Sequence, residues 1–386
     1  MILQGRGQLA AFERRLPYER SNLREGDMKN RVTSIILSVV FMCLWPQLGH
    51  PCSTFLIDDD SGPVYGKNYD WMVDDGLVVV NKRNVSKKAA TMADDNPASW
   101  MSKYGSITFN QYGREMPSGG MNEAGLVIEL MWLDETEYPD PDSRSAVTNL
   151  QWIQYQLDRF STVEEVIATD SSLRIVQEGE AKIHYLVADK TGDCASIEFV
   201  DGKLACHTRD TMPVKTLTND TYATSVEFLK KHEGFGGELP PPDGKASLAR
   251  FVRAATMVKE YDPKKAESPV DYAFDILTNV AQGDYTKWSI VYDIAGSRIY
   301  FRTCATKRIR YVDLNAFDFS CTSPVKAIDI NADLSGNIAG HFVDYTRELN
   351  RDLIGRSFSK VEFLKAIPKT ILDTLAQYPE TTVCME

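Results

Sequence analysis

Beyond Cys52 the chain alternates short apolar runs with clusters of turn-forming residues. Ser53 to Ile57, Val64 to Asn68 and Leu77 to Asn81 read as antiparallel strands joined by Asp, Gly and Pro turns. A polar stretch from Ser86 to Ser99 carries no periodic signal. Two further strands are expected at Ile107 to Asn110 and Gly125 to Leu133, the second apolar enough to be central. From Val147 to Phe160, Leu150, Ile153, Gln154 and Leu157 recur at helical spacing, and Ser161 with Glu164 spells a capping box for the next helix. The middle of the chain repeats this logic with strands at His184 to Ala188, Ala195 to Val200 and Lys203 to His207. A loop from Gly234 to Lys245 follows, holding four Gly and three Pro. Helices are expected near Ala246 to Glu260 and Val270 to Val280, then a hairpin from Trp288 to Thr303 and a late helix near Lys360 to Leu375. With no linker, repeat or low-complexity tract, this order predicts one α+β domain over residues 52–386, with two sheets layered between helices.

The segment before Cys52 reads differently. Val32 to Trp45 is the one stretch apolar enough to enter a membrane, flanked by Lys29 and Arg31 and closed by Pro46. Its 14 residues are too few to span a bilayer, so it reads as the core of a signal peptide. Met28 makes a better start than Met1, which leaves residues 1–27 as an upstream extension or a mis-called start and 28–51 as a leader that is removed. Gly5-Arg6-Gly7-Gln8-Leu9-Ala10 spells a dinucleotide-binding loop, but no strand precedes it and it carries no weight. The expected location is periplasmic or secreted, with no stable membrane insertion after processing.

Charge narrows the partners. The formal net charge is −11, and because residues 1–51 hold seven Lys/Arg against four Asp/Glu, the remainder carries −14. Such a surface argues against nucleic acid, whose binding depends on clustered cations. Of the seven cysteines, Cys43 leaves with the leader; Cys194 and Cys206 flank an expected hairpin at Asp201-Gly202 and are either bridged or free buried thiols. No CxxC pair and no HExxH occurs, so no metal is indicated.

The chemistry converges on Cys52, the first cysteine after the leader core. At the amino terminus of a processed chain, one residue would hold both a thiol and an α-amine whose pKa of about 7.7 to 8.0 lets it take a proton at neutral pH. It needs no histidine to form the attacking thiolate. The alternatives are a structural thiol or a lipidated cysteine, and His50-Pro51 is a poor context for lipidation.

Cys52-Ser53-Thr54-Phe55 with Gly66-Lys67-Asn68-Tyr69-Asp70-Trp71 resembles the opening of the choloylglycine hydrolase and penicillin V acylase family. The resemblance continues through Gly120-Met121-Asn122-Glu123-Ala124-Gly125-Leu126, Leu217-Thr218-Asn219, Ala249-Arg250-Phe251 and Tyr285-Thr286-Lys287-Trp288-Ser289. It implies a four-layer αββα N-terminal-nucleophile hydrolase that cleaves linear amide C–N bonds without a cofactor. Carried over residue by residue, it makes Cys52 the nucleophile and its amine the base. Asp70 would hold that amine, Asn219 would donate to the oxyanion together with a backbone N–H near Trp132, and Arg250 would keep the thiol's field positive. The family's usual arginine appears here as Lys67, which keeps the charge without the planar fork. Trp132 stands where bile-salt hydrolases often have Asn, and with Trp71 it resembles the Gram-negative branch. Two such rings suit a flat apolar acyl group in the substrate-binding site. The resemblance implies a small-molecule acyl amide substrate, among penicillin V, N-acyl homoserine lactones and conjugated bile salts, and a homo-oligomer, often a tetramer. Two other readings stay open at this point: a lipid-anchored periplasmic binding protein, and a papain-like cysteine protease pairing Cys52 with His341 or His184. No G-x-S-x-G elbow is present.

Overall fold

A computed structural model describes residues 52–91 and 96–386. The expected extension (1–27) and leader (28–51) lie outside the described residues. Two large sheets dominate. The first has seven strands in the order Thr216–Leu217, Ser53–Ile57, Val64–Asp70, Thr286–Asp293, Arg298–Thr303, Arg310–Asp313 and Gly336–Asn337, antiparallel except at the last pairing. The second has nine antiparallel strands in the order Lys203–Thr208, Cys194–Val200, Ile183–Ala188, Val127–Trp132, Pro117–Asn122, Ser106–Asn110, Leu77–Asn81, Lys326–Asp329 and Val343–Asp344.

Period-two geometry explains how one strand serves two layers. Along the opening strand, Leu56 points with Cys52 into a core shared with Met131, Phe109 and Tyr292, between the sheets. Phe55 and Ile57 point the other way, onto Ala254, Phe274 and Leu277 of the helices Ser247–Glu260 and Pro269–Asn279. The outer face of the second sheet is closed by Asn149–Arg159, whose Trp152, Ile153 and Leu157 pack on Ile128, Tyr185 and Ile197. The layers are therefore helix, sheet, sheet, helix, the predicted αββα arrangement. Because it is covered on both faces, the inner strand Leu77–Asn81 reads as a nearly continuous apolar run.

The helix starts follow their caps. The Thr148 hydroxyl accepts from Gln151 N–H, so the first helix begins at Asn149 and its expected first residues form the strand Ser145–Thr148 instead. The next capping box is Thr162 with Glu165, one residue beyond the expected pair. Asn122 accounts for the Gly-Met-Asn-Glu-Ala-Gly-Leu landmark. Its Oδ1 accepts from Ala124 and Leu126 N–H while its Nδ2 donates to Leu157 and Phe160 carbonyls, and Gly125 at φ +89 closes the turn.

Two expectations are corrected and one open alternative is settled. The stretch read as featureless contributes Val85–Lys88 and Ser99–Met101 to a small sheet completed by Val383–Cys384. The late helix starts at Lys369, not Lys360, because Pro368 caps it after a 3-10 turn at Glu362–Leu364, and an unexpected helix, Arg347–Lys360, precedes that turn. Cys194 and Cys206 are both free, since Cys206 lies opposite Ile197 and faces the outer helices while Cys194 points between the sheets. The disulfide joins Cys321 to Cys384 and fastens the C-terminal strand.

Candidate active site

Cys52 precedes the opening strand at its buried end and is 4% exposed. Its N–H donates to Asn219 Oδ1 at 2.7 Å, and its Sγ lies 3.9 Å from the Asp70 carbonyl oxygen. Antiparallel pairing of Ser53 with Asn68 and Thr54 with Lys67 brings Lys67, Asp70 and Trp71 alongside it. Cys52, Lys67, Asp70, Trp71 and Asn219, scattered over the sequence, thus meet at one place.

Arg250 organises this cluster. Expected from the resemblance to keep the thiol's field positive, it is 1% exposed on the buried face of Ser247–Glu260. Its Nη1 donates to the Cys52 carbonyl and, at 2.7 Å, to Ser53 Oγ, its Nη2 reaches Asn219 Oδ1 at 2.8 Å, and its Nε donates to Lys245 O. Asn219 is fixed on every side. Its Nδ2 donates to Trp132 O at 2.8 Å, its N–H to Ser247 Oγ, and the preceding Thr218 carbonyl meets His184 Nε2 at 2.8 Å. Trp132 thus meets Asn219 through its carbonyl, and the following Leu133 N–H is taken by Lys182 O.

In this chain, where Cys52 N is still a peptide nitrogen, that nitrogen's partner is Asn219. The Asp70 Oδ1 accepts from Thr286 Oγ1, and its buried Oδ2 has no hydrogen-bond partner among the described residues. Burial pushes the Asp70 carboxyl up to about 7, against the pull of Arg250, the Thr286 hydroxyl and Lys67. Thr286 was part of the sequence landmark, but no local signal marked its hydroxyl as a partner for Asp70.

Lys67 lies between the sheets, fully buried, its ammonium donating to Leu130 O. Burial raises the Cys52 thiol pKa, and the strongest opposing influence is the Lys67 charge. Asp70 raises it further, while the hydrogen bond to the Asp70 carbonyl and the Arg250 charge lower it. Glu129, not singled out from sequence, is buried nearby with Tyr292 Oη donating to it, and burial pushes it to about 7.

A cavity of about 180 Å³ opens on Cys52 and Asp70. Its walls are mainly apolar, and Trp71 and Trp132 stack across it with ring centroids 6.0 Å apart and planes 27° apart. Trp71 Nε1 donates to Tyr112 Oη at 2.7 Å and Trp132 Nε1 to Asp134 Oδ1 at 2.7 Å, so both rings are oriented by their polar edges. Tyr112, Phe358, Phe363 and Leu364 also line it, and sequence reading found none of them.

The histidines do not serve Cys52. His184 is committed through Nδ1 to Glu198 and through Nε2 to Thr218 O, and His341 is exposed on a short 3-10 turn away from the cavity. A lipidated Cys52 would need a surface thiol, and this one is buried. Among the described residues no His/Cys/Asp/Glu group suits a metal ion, and no helix is long and apolar enough to cross a membrane.

The family model described as linear amide C-N hydrolases, choloylglycine hydrolase family, matches residues 52–327. The chain belongs to this family. The match begins at Cys52 itself and spans both sheets as far as the Lys326–Asp329 strand. A penicillin V acylase from Pectobacterium atrosepticum is 26% identical over 360 residues, covering 80% of this chain and 94% of that protein. Among solved structures, penicillin V acylase from Agrobacterium tumefaciens superposes with a TM-score of 0.66 at 27% identity, covering 76% of this chain and 98% of that one. A variant of the conjugated bile acid hydrolase from Clostridium perfringens shares the fold with a TM-score of 0.62 at 19% identity, covering 74% and 98%. The fold is that of the N-terminal-nucleophile hydrolases, and this choloylglycine hydrolase family member is a hydrolase of linear amide C–N bonds.

Proposed function

We propose that this chain is the precursor of an exported amidase in which Cys52, once it becomes the first residue, is the nucleophile. The observation that carries the reading is the convergence on Cys52: a thiol facing an apolar cavity, with its nitrogen held by Asn219 and an unpartnered Asp70 oxygen close by. Release of the α-amine would turn a peptide N–H into an ammonium with three donors. Asp70 Oδ2 then gains the charge-assisted partner that it lacks, and the ammonium replaces burial as the main influence on its protonation.

The cycle follows from these atoms. The α-amine takes the thiol proton, and the Cys52 sulfur attacks the substrate carbonyl carbon, forming an S–C bond. The oxyanion is met by the second hydrogen of Asn219 Nδ2, whose first is committed to Trp132 O. The ammonium then protonates the leaving nitrogen, the C–N bond breaks and a thioester remains. Water gives a proton to the amine and attacks the thioester; the S–C bond breaks, and the carboxylic acid leaves with the thiol restored. Lys67 and Arg250 hold the field positive throughout. No cofactor enters these steps.

The stacked Trp71 and Trp132 rings favour a flat apolar acyl group, which points to penicillin V or N-acyl homoserine lactones ahead of conjugated bile salts. Export through the 28–51 leader, into the periplasm or medium, accords with the Cys321–Cys384 disulfide. Assembly into a homo-oligomer belongs to the same reading. Hydrolysis of the three substrate types by the processed protein, with Cys52→Ser beside it, tests the assignment. Equal release by the two proteins would end it.

A further inference from the structure

We infer that the far wall of the acyl pocket is built by the C-terminal segment from Phe358 to Leu364, and that this wall sets the acyl length accepted, favouring groups that are apolar to their tip. The inference rests on the assignment of Cys52 as nucleophile and names the substrate class of that site.

Phe358, Phe363 and Leu364 line the same cavity as Cys52, yet they lie beyond residue 327, where the family match ends. The catalytic end of the pocket is therefore family property, and its outer end is supplied by a segment outside that match. Ordinary packing of a terminal helix accounts for Phe358, which is buried and meets Tyr112 edge-on at 5.7 Å. It does not account for Phe363, a large aromatic ring left 38% exposed while it faces the cavity.

The segment is tied directly to the catalytic strand. Asp74 and Asp75 follow Trp71 closely, and Asp75 takes ion pairs from both Arg356 and Lys360 on the helix Arg347–Lys360, while Lys360 also reaches Asp74 at 3.1 Å. A second tie runs from Phe358 through Tyr112 to Trp71 Nε1. These ties hold the wall in register with the thiol. Its three side chains carry no hydrogen-bonding groups, so a hydroxylated acyl end would lose water there without compensation. Aryl and alkyl acyl groups meet no such penalty.

The test uses one chromogenic amine acylated with straight chains from acetyl to dodecanoyl, compared for the processed wild type, Phe363→Ala and Lys360→Gln. Phe363→Ala should raise KM roughly tenfold for the length that wild type prefers, whose tip loses its contact, while longer chains enter the vacated space and lose less, so that the preferred length moves upward. Lys360→Gln should move it the same way by a smaller amount. Length profiles superimposable on wild type for both variants would overturn the inference. Binding of the free acids to Cys52→Ser protein, read by tryptophan fluorescence, separates the two levels. Absent hydrolysis by wild type, together with Phe363-dependent acid binding, would remove the catalytic reading and leave the wall. Acid binding indifferent to Phe363 would remove the wall.

Discussion

Asn219 Oδ1 lies 2.7 Å from the Cys52 nitrogen and is simultaneously held by Arg250. One side-chain oxygen thus fixes the nitrogen proposed as the base, while the Nδ2 of the same amide, with one hydrogen on Trp132 O, keeps a second for the proposed oxyanion. The two roles are separable by substitution.

Asn219→Asp retains an acceptor for Cys52 and Arg250 and removes the amide donor. kcat on an acyl amide should fall by about 10² to 10³, with KM changed far less, since the lost contact acts in the transition state. Steady-state kinetics at one pH checks this, and a purely KM effect would count against the donor role.

Arg250→Ala removes a buried cation and leaves the Cys52 carbonyl, Ser53 Oγ and Asn219 Oδ1 short of a donor. A loss of about 1 to 3 kcal/mol in urea unfolding is expected from the stranded acceptors. Lys67→Met takes away the strongest cationic influence on the thiol, so the midpoint of the pH dependence of its alkylation should rise.

Asp70 gives a pH prediction for the unprocessed chain. Its folded carboxyl titrates near 7 against an ordinary 3.8, so its contribution to stability is fully present below pH 3.8 and is lost as pH rises through 7. Glu129, also near 7, acts with the same sign. In protein that retains the residues before Cys52, stability from this source should decline between pH 4 and 7. Asp70→Asn should flatten the decline in part, and adding Glu129→Gln should flatten it further. Urea midpoints across that range measure it, and identical slopes for all three proteins would refute the assignment.

Reduction of the disulfide frees Val383–Cys384 from its pairing with Val85–Ser86 and opens a loop of 63 residues that contains the helix Arg347–Lys360. A loss of about 4 kcal/mol is expected, visible as a lower melting temperature in dithiothreitol. An unchanged melting temperature after verified reduction would contradict it.

What the sequence revealed follows physical lines. Ser53–Ile57 is legible to the residue because a β-branched and aromatic run ends at an Asp cluster. Pro117–Asn122 is a central strand that sequence did not show, since Pro and two glycines weaken the strand signal; the neighbouring strand's close approach requires Gly120, where a Cβ would sit 2.5 Å from the Ile107 carbonyl oxygen. The helix Arg347–Lys360 was missed because its surface is largely polar. The family landmarks brought Cys52, Lys67, Asp70, Asn219 and Arg250 into view, and the fold gathers them. Which atom touches which was not legible: the Asn219 bond to the Cys52 nitrogen, the Thr286 hydroxyl on Asp70 and the burial of Lys67 and Arg250 all come from strands and helices meeting in space. The pocket wall at Phe358 to Leu364 carries no local signal, because it becomes part of the site only when the last helices fold back over Trp71 and Tyr112.

The central claim is that a single residue at the head of the processed chain supplies both thiol and amine. Intact-mass measurement and amino-terminal sequencing of the purified active protein test it most directly. The account predicts a chain beginning at Cys52 with an unmodified amine, and a Cys52→Ala chain that retains residues before that position. An active protein whose chain begins elsewhere, or whose Cys52 amine is blocked, would contradict it.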